Sequence, residues 1–236
     1  MFVEELIVKS SIQVFMANPE HPKPEVFGSG CLVNYIDRLF FLSVFHVTNY
    51  DLSAYLETNL PANEIGPPIQ PIGGLCSFDL FKVTKDMQAK DFEDLLLKPK
   101  ETLDITFAEI KTPFTLLQPE IDFGAFKVEA GPKVHLYLDN IAEPTSDKKY
   151  GFYGKIRHEY KGKTLEMTPT LKHGLKFHRT NGYFHMFLAP EIIKDSADYE
   201  GCSGAPILDD DGNLVALACK VMTGSRVIYG FSIQEC

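Results

Sequence analysis

The sequence predicts an all-β protein, folded as a sandwich or barrel of many short strands, and three observations carry that expectation. Apolar or alternating runs of about five or six residues recur along the chain, the length of a strand rather than of a buried helix. Aromatic residues reach 12%, with 18 Phe and 10 Tyr, and such side chains pack well on a pleated surface. The 15 Pro and 17 Gly cut the chain into short segments. With 236 residues it can bury a substantial core as one large domain or two small ones.

Taken in order, the N-terminal Met1-Phe2-Val3-Glu4-Glu5 places two acids early, with no basic stretch ahead of an apolar one, and so does not read as a signal peptide. Ile12 to Met16 reads as a strand. Gly30 to Tyr35 and Leu39 to Ser43 read as a hairpin about the turn Tyr35-Ile36-Asp37-Arg38. The Pro- and Gly-rich stretch from Pro61 to Gly74 is expected to be a loop. Lys90 to Leu97 is expected to be a short turn of helix that stops before Pro99. Ile105 to Ile110, Lys133 to Leu138, Tyr183 to Leu188, Asn213 to Ala218 and Ile228 to Ile233 are further strands. Thr112-Pro113 and Gln118-Pro119 interrupt the pattern near the middle. No internal repeat is visible.

Composition removes several functional classes. A net charge of -9 and a pI near 5.3 are poorly suited to a phosphate backbone, so nucleic acid is not an expected partner. No apolar run approaches a membrane span, and no membrane partner is expected. Asp209-Asp210-Asp211, beside Gly212-Asn213, reads as a hairpin tip rather than a metal site. The five cysteines (31, 76, 202, 219 and 236) have no metal-ligand spacing, and reduced thiols in the cytoplasm are the expectation. His158, His173, His178 and His185 follow at spacings of 15, 5 and 7, which suit surface or strand positions better than zinc.

Chemistry concentrates at Gly201-Cys202-Ser203-Gly204-Ala205-Pro206. A Gly-x-Ser-Gly turn can expose a serine while the backbone N–H groups of Gly201 and Ser203 point into the same space as an oxyanion hole. Glycine at 201 permits a backbone angle other residues resist. His46 lies just past the apolar strand Phe40 to Val44, and Asp104 heads the alternating run that follows it. A lone histidine or strand-end aspartate is weak evidence. The order His, Asp, Ser, each at a strand edge, strengthens all three.

These motifs resemble the trypsin-like, chymotrypsin-fold serine peptidases, especially the bacterial HtrA-type and minimal members. The family shows Gly-Ser-Gly, a strand ending in Thr/Ser-x-x-His-Val, then Asp-(Ile/Leu)-Ala-(Val/Leu), then Gly-x-Ser-Gly-(Gly/Ala)-Pro-(Leu/Ile). Here these correspond to Gly28-Ser29-Gly30, Ser43 to Val47, Asp104 to Phe107 and Gly201 to Pro206. The resemblance implies two antiparallel six-stranded β-barrels with the active site in the cleft between them. Residues 1–118 would carry His and Asp, and residues 119–236 would carry Ser and the oxyanion turn. It further implies Ser203 as nucleophile, His46 as general base and then acid, and Asp104 as the group that orients the imidazole. Substrates would be peptides or proteins, and the chemistry needs neither cofactor nor metal.

Departures from the family are informative. Secreted trypsins carry an aspartate before the serine, which pairs with a new N-terminal amine on zymogen cleavage. Cys202 stands there, so the oxyanion turn must be held in another way. Viral relatives use cysteine as nucleophile, but in the place of Ser203, and Cys202 reads as a small buried filler. The family's primary pocket corresponds to the neighbourhood of Ala197, Cys219, Lys220 and Val221. Without an acidic floor it suits a small or medium apolar side chain. The family's C-terminal helix is not evident, which leaves a helix-less branch or a longer gene product. Two further readings stay open beside an active endopeptidase: a silent trypsin-fold module that binds a peptide or protein, and an enzyme latent until a partner reshapes the 197–203 loop. Pro61 to Gly74 and Thr145 to Lys149 are places where such a partner could act.

Overall fold

The computed structural model describes residues 2–60, 68–80, 88, 101–112, 114–162 and 164–235. A short helix α1 (Val3–Ser10) comes first, then β1 (Ile12–Asn18), β2 (His21–Tyr35) and β3 (Arg38–Ser43). A single helical turn α2 (Phe45–Thr48) precedes β4 (Ser53–Glu57), β5 (Ile69–Ile72), β6 (Cys76–Leu80) and β7 (Glu101–Glu109). Five two-residue strands fill the middle: β8 (Leu117–Gln118), β9 (Ile121–Asp122), β10 (Lys127–Val128), β11 (Gly131–Pro132) and β12 (Leu136–Tyr137). The last third holds β13 (Lys149–Lys161), β14 (Thr164–Asn181), β15 (Phe184–Leu188), β16 (Pro206–Asp209), β17 (Leu214–Val221) and β18 (Val227–Ser232).

The all-β expectation holds, as a half-barrel beside a closed barrel. The half-barrel runs β5-β4-β1-β2-β3-β7-β6, with β12 added in parallel to β2. β2 turns its corner, pairing with β1 up to Gly30 and with β3 from Cys31 onward. The β2–β3 turn puts Ile36 and Asp37 at φ 46° and 57°, the twist that a two-residue hairpin demands. Among the described residues β5 and β6 are the two edges. Pro71 in β5, and Ser77 and Asp79 in β6, are poor residues for continuing a ladder. The closed barrel runs β13-β14-β15-β18-β17-β16, and Tyr150 opposite Asp209 closes it.

The two bodies share a core. Phe41, Leu32, Val14, Leu56 and Ile105 of the half-barrel belong to one buried cluster with Leu208, Leu217 and Phe231 of the closed barrel. A second cluster about Phe152, Phe187, Ile207 and Ile228 fills the closed barrel itself. α1 adds a strap between them. Glu4 and Glu5 in its first turn and Lys9 in its last suit the helix dipole, Lys9 pairs with Glu5 at 2.6 Å, and the buried Ile7 and Val8 face β13 and β16.

Several local expectations change. The segment read as a loop from Pro61 to Gly74 contains β5, an edge strand, the one place in a sheet where Pro71 costs no ladder bond. Residues 133–138 form only β12 followed by a 3₁₀ turn. Their N–H groups go to different elements, Lys133 to Leu116 and Val134 to Lys9, so no continuous ladder forms. Asp104 sits inside β7 rather than at its head. The short helix expected from Lys90 to Leu97 lies outside the described residues.

Candidate active site

His46 is carried by α2, immediately after β3 feeds the chain out of the half-barrel core at the buried Val44. Its backbone N–H and its ring both turn to Asp104 on β7: the N–H donates to Oδ1 at 3.0 Å and Nδ1 lies 2.9 Å from Oδ2. One carboxylate thereby holds both the backbone and the ring Nδ1 of His46. Burial pushes the Asp104 carboxyl up, but the hydrogen bonds from His46, with a contact from the Cys219 thiol, outweigh it and hold the group below its ordinary value. Burial and the nearby Asp104 charge push the Cys219 thiol well up, so it stays protonated.

Cys219 is the bridge to the serine. Its carbonyl accepts a hydrogen bond from Ser203 Oγ at 3.1 Å. Ser203 thus approaches the His46–Asp104 pair through one intervening residue, with its hydroxyl committed to a backbone carbonyl.

The turn around Ser203 is tied down thoroughly. Cys202 N–H donates to Tyr199 O at 2.9 Å, Gly204 N–H to Ala218 O at 2.7 Å and Ala205 N–H to Cys202 O at 2.9 Å. The half-barrel grips it as well. Ser29 donates its N–H to Ser203 O at 2.7 Å and its Oγ to Gly201 O at 2.6 Å, while Ser43 Oγ donates to Ser29 O at 2.7 Å. Gly201 and Gly204 have φ of +100° and +89°, a region that favours glycine. The Gly28-Ser29-Gly30 and Gly201 to Pro206 motifs are therefore two halves of one seam. Among the described residues neither Gly201 N–H nor Ser203 N–H has an acceptor within the protein.

Beside Ser203 a cavity of about 250 Å³ is walled by Phe152, Tyr199, Cys202, Ala218, Val221 and Ile228, with Ser196, Glu200 and Lys220 also lining it. Cys219, Lys220 and Val221 are among the residues that line it. Ala197 does not, because its 3₁₀ turn, capped by Asp195, presents Ser196 instead. A second cavity, of about 860 Å³, lies along His46 and Asp104 and is lined by Phe184, Met222 and Tyr229. Cys202 is 2% exposed and burial pushes its thiol up to about 12, which leaves no thiolate for nucleophilic attack. The acidic run is a turn: Asp209 accepts from the N–H groups of Asp211 and Asn213 and pairs with Lys148 at 2.5 Å.

No protein-family model matches the chain, and no curated protein sequence does. Solved structures do. Neuropsin, a serine protease expressed in the limbic system of mouse brain, aligns at a TM-score of 0.53 and 15% identity over 94% of this chain and 89% of its own. The fold is that of the trypsin-like serine peptidases. A serine endoprotease from Yersinia pestis aligns over the whole chain at 12% identity and a TM-score of 0.49, and this chain spans 64% of its length. The MamO protease domain from Magnetospirillum magneticum aligns at 9% identity and 0.47. In a trypsin-like fold, facing barrels are expected to meet where the Ser29–Gly201 seam lies. Two features of the seam escape sequence reasoning: the Ser29 hydroxyl bond, and His158 packed against Gly201. No local signal marks either, since both depend on contacts far apart in the chain.

Proposed function

We propose that the chain is a serine endopeptidase acting through His46, Asp104 and Ser203. The observation that carries this reading is the linked series from His46 to Asp104 to Cys219 to Ser203, set beside two N–H groups without an acceptor. A peptide laid along the edge of β17 would offer a backbone N–H to the Cys219 carbonyl. That donor competes with Ser203 Oγ and releases the hydroxyl toward His46. His46 then takes the proton, Ser203 attacks the scissile carbonyl, and the developing oxyanion receives the Gly201 and Ser203 N–H groups. His46 returns the proton to the leaving amine, and water resolves the acyl-enzyme by the same route.

The largely apolar walls of the 250 Å³ cavity favour a medium apolar side chain before the cleaved bond, and the one acidic residue among those lining it, Glu200, is accompanied there by the cationic Lys220. The test is cleavage of internally quenched peptides that differ only at that position. Leu- or Val-sized residues should be cleaved fastest, and Ser203→Ala should abolish turnover. Preference for Arg or Lys, or turnover that survives Ser203→Ala, would refute the reading.

A second reading rests on one observation: Ser203 Oγ is hydrogen-bonded to Cys219 O rather than to the imidazole. In that reading the enzyme is latent until a substrate or protein partner displaces the bond.

A further inference from the structure

We propose that His158, together with Ser29, is the clamp that holds Gly201 with its N–H turned into the site, the task that an ion pair behind the serine performs in secreted trypsins and that Cys202 cannot perform. The inference rests on the peptidase reading for its catalytic consequence, but the clamp itself is a matter of geometry.

The device starts in the backbone of β13. Its pairing with β14 is irregular between Ile156 and Glu159, and Arg157 within that bulge has φ +54°, uncommon for a residue with a side chain. The strain is anchored, because Arg157 Nη2 donates to Asp198 Oδ1 at 2.7 Å on the turn that leads into the serine loop. A regular strand would place residues 157 and 158 on alternate faces in step with β14. The bulge breaks that step and brings the His158 ring in beneath the oxyanion turn.

There the ring is held by close neighbours. It stacks on Phe27 of the half-barrel, with centroids 3.9 Å apart and planes 16° from parallel. It also hydrogen-bonds the Lys155 backbone and packs against Gly201. A Cβ added to Gly201 would lie 2.6 Å from His158 Cε1, 3.0 Å from Nε2 and 2.2 Å from the Lys155 carbonyl. The ring and the Lys155 carbonyl therefore both press on the Cα of Gly201, and its own oxygen accepts from Ser29 Oγ at 2.6 Å. Nε2 is shielded from solvent and has no hydrogen-bond partner among the described residues, a position a histidine holds only when the packing around it fixes the ring. Phe27 and Ser29 flank Gly28, so one short stretch of β2 supplies both the platform for the ring and the hydroxyl for the carbonyl. The Ser29 bond fixes the Gly201–Cys202 peptide, and the ring and the Lys155 carbonyl crowd Gly201 Cα, so the backbone on which the Gly201 N–H is oriented is held at its carbonyl and at its Cα. His158 is a positioning residue: it acts through Gly201.

The test uses the full chain and two variants, His158→Ala and Ser29→Ala, with His178→Ala on an exposed part of β14 as control. Deuterium uptake of the segment 199–205 is read by mass spectrometry, and kcat and KM are read on the best peptide. The clamp predicts faster uptake in 199–205 for both variants and not for the control. It also predicts a fall in kcat on the order of 10²–10³-fold, the scale of losing one oxyanion donor, with KM little changed. If one variant fails to fold, the other carries the test. Unchanged uptake in folded variants, or a loss confined to KM, would overturn the proposal. Absence of turnover in the native chain would count against the peptidase reading alone, because the uptake comparison still decides the clamp.

Discussion

Gly204 is the most exacting position in the seam, and Gly204→Ala measures how tightly the two bodies meet. Its φ of +89° is itself unfavourable for alanine, at about 1–2 kcal/mol. The added methyl would also stand 2.0 Å from Ser29 O and 2.4 Å from Ser43 Oγ. Neither neighbour can swing aside cheaply. Ser29 O is backbone and accepts from Ser43 Oγ, and Ser29 N–H is bonded to Ser203 O. Relief requires the strands to separate, an overpacking cost of about 1–3 kcal/mol, and loss of the Ser29–Ser203 bond adds about 1 kcal/mol. The sum is about 3–6 kcal/mol, a large part of the roughly 5–15 kcal/mol that holds a typical domain together. Urea denaturation followed by tryptophan-free probes, such as far-UV dichroism, gives the change directly. Gly224→Ala is the internal control, with φ +78° and nothing within 4 Å of the added carbon, so it reports the dihedral cost alone. If Gly204→Ala is no more destabilising than Gly224→Ala, the close approach of the two bodies is not what that glycine serves.

Three further predictions follow from separate parts of the structure. Lys133 is partly buried, with its ammonium shared among the carbonyls of Val8 and Ser11 and Gln118 Oε1; Lys133→Met strands all three acceptors and should cost about 2–4 kcal/mol by denaturation, whereas a loss below about 1 kcal/mol would show that this junction is not held by the ammonium. Burial depresses the His158 imidazole from 6.5 to about 4, so the unfolded chain holds the extra proton between those values; the stability it contributes is complete above pH 6.5 and is lost as pH falls toward 4. His158→Phe should remove about 1 kcal/mol of that acid sensitivity, the full shift being discounted because the ring is only partly buried, and identical pH profiles of Tm would contradict it. Asp104→Asn should lower kcat on the order of 10⁴-fold with the chain still folded, because the amide no longer stabilises the cation or fixes the tautomer of His46; a loss under tenfold in peptide hydrolysis would remove Asp104 from the mechanism.

How much of this was legible in the sequence depends on whether the signal was local. Strands such as β1 and β17 announce themselves by largely apolar runs because their neighbours bury nearly the whole strand. Ser203 and its glycines were legible because the turn's geometry is written into adjacent residues, with Gly201 and Gly204 both at positive φ. α1 was not, since Leu6-Ile7-Val8 in an eight-residue segment fits a strand as readily as a helix, and it is the packing of Ile7 and Val8 that settles the matter. β5 was hidden by Pro71, whose effect depends on the strand being an edge. His158 read as an ordinary strand histidine. Its role depends on a bulge at Arg157 and on Phe27, more than a hundred residues away, and no spacing rule reaches that far. Ala197 was misplaced for a related reason: the 3₁₀ turn at Ser196–Asp198 shifts which side chain faces the cavity.

The most direct test of the central claim is labelling with a fluorophosphonate probe, comparing the native chain with Ser203→Ala, His46→Ala and Cys202→Ala. The peptidase reading predicts strong labelling of the native chain, none in Ser203→Ala, a sharp drop in His46→Ala and retention in Cys202→Ala, whose thiol is buried and protonated. A well-folded native chain that takes up no probe, or labelling that follows Cys202 instead of Ser203, would contradict it.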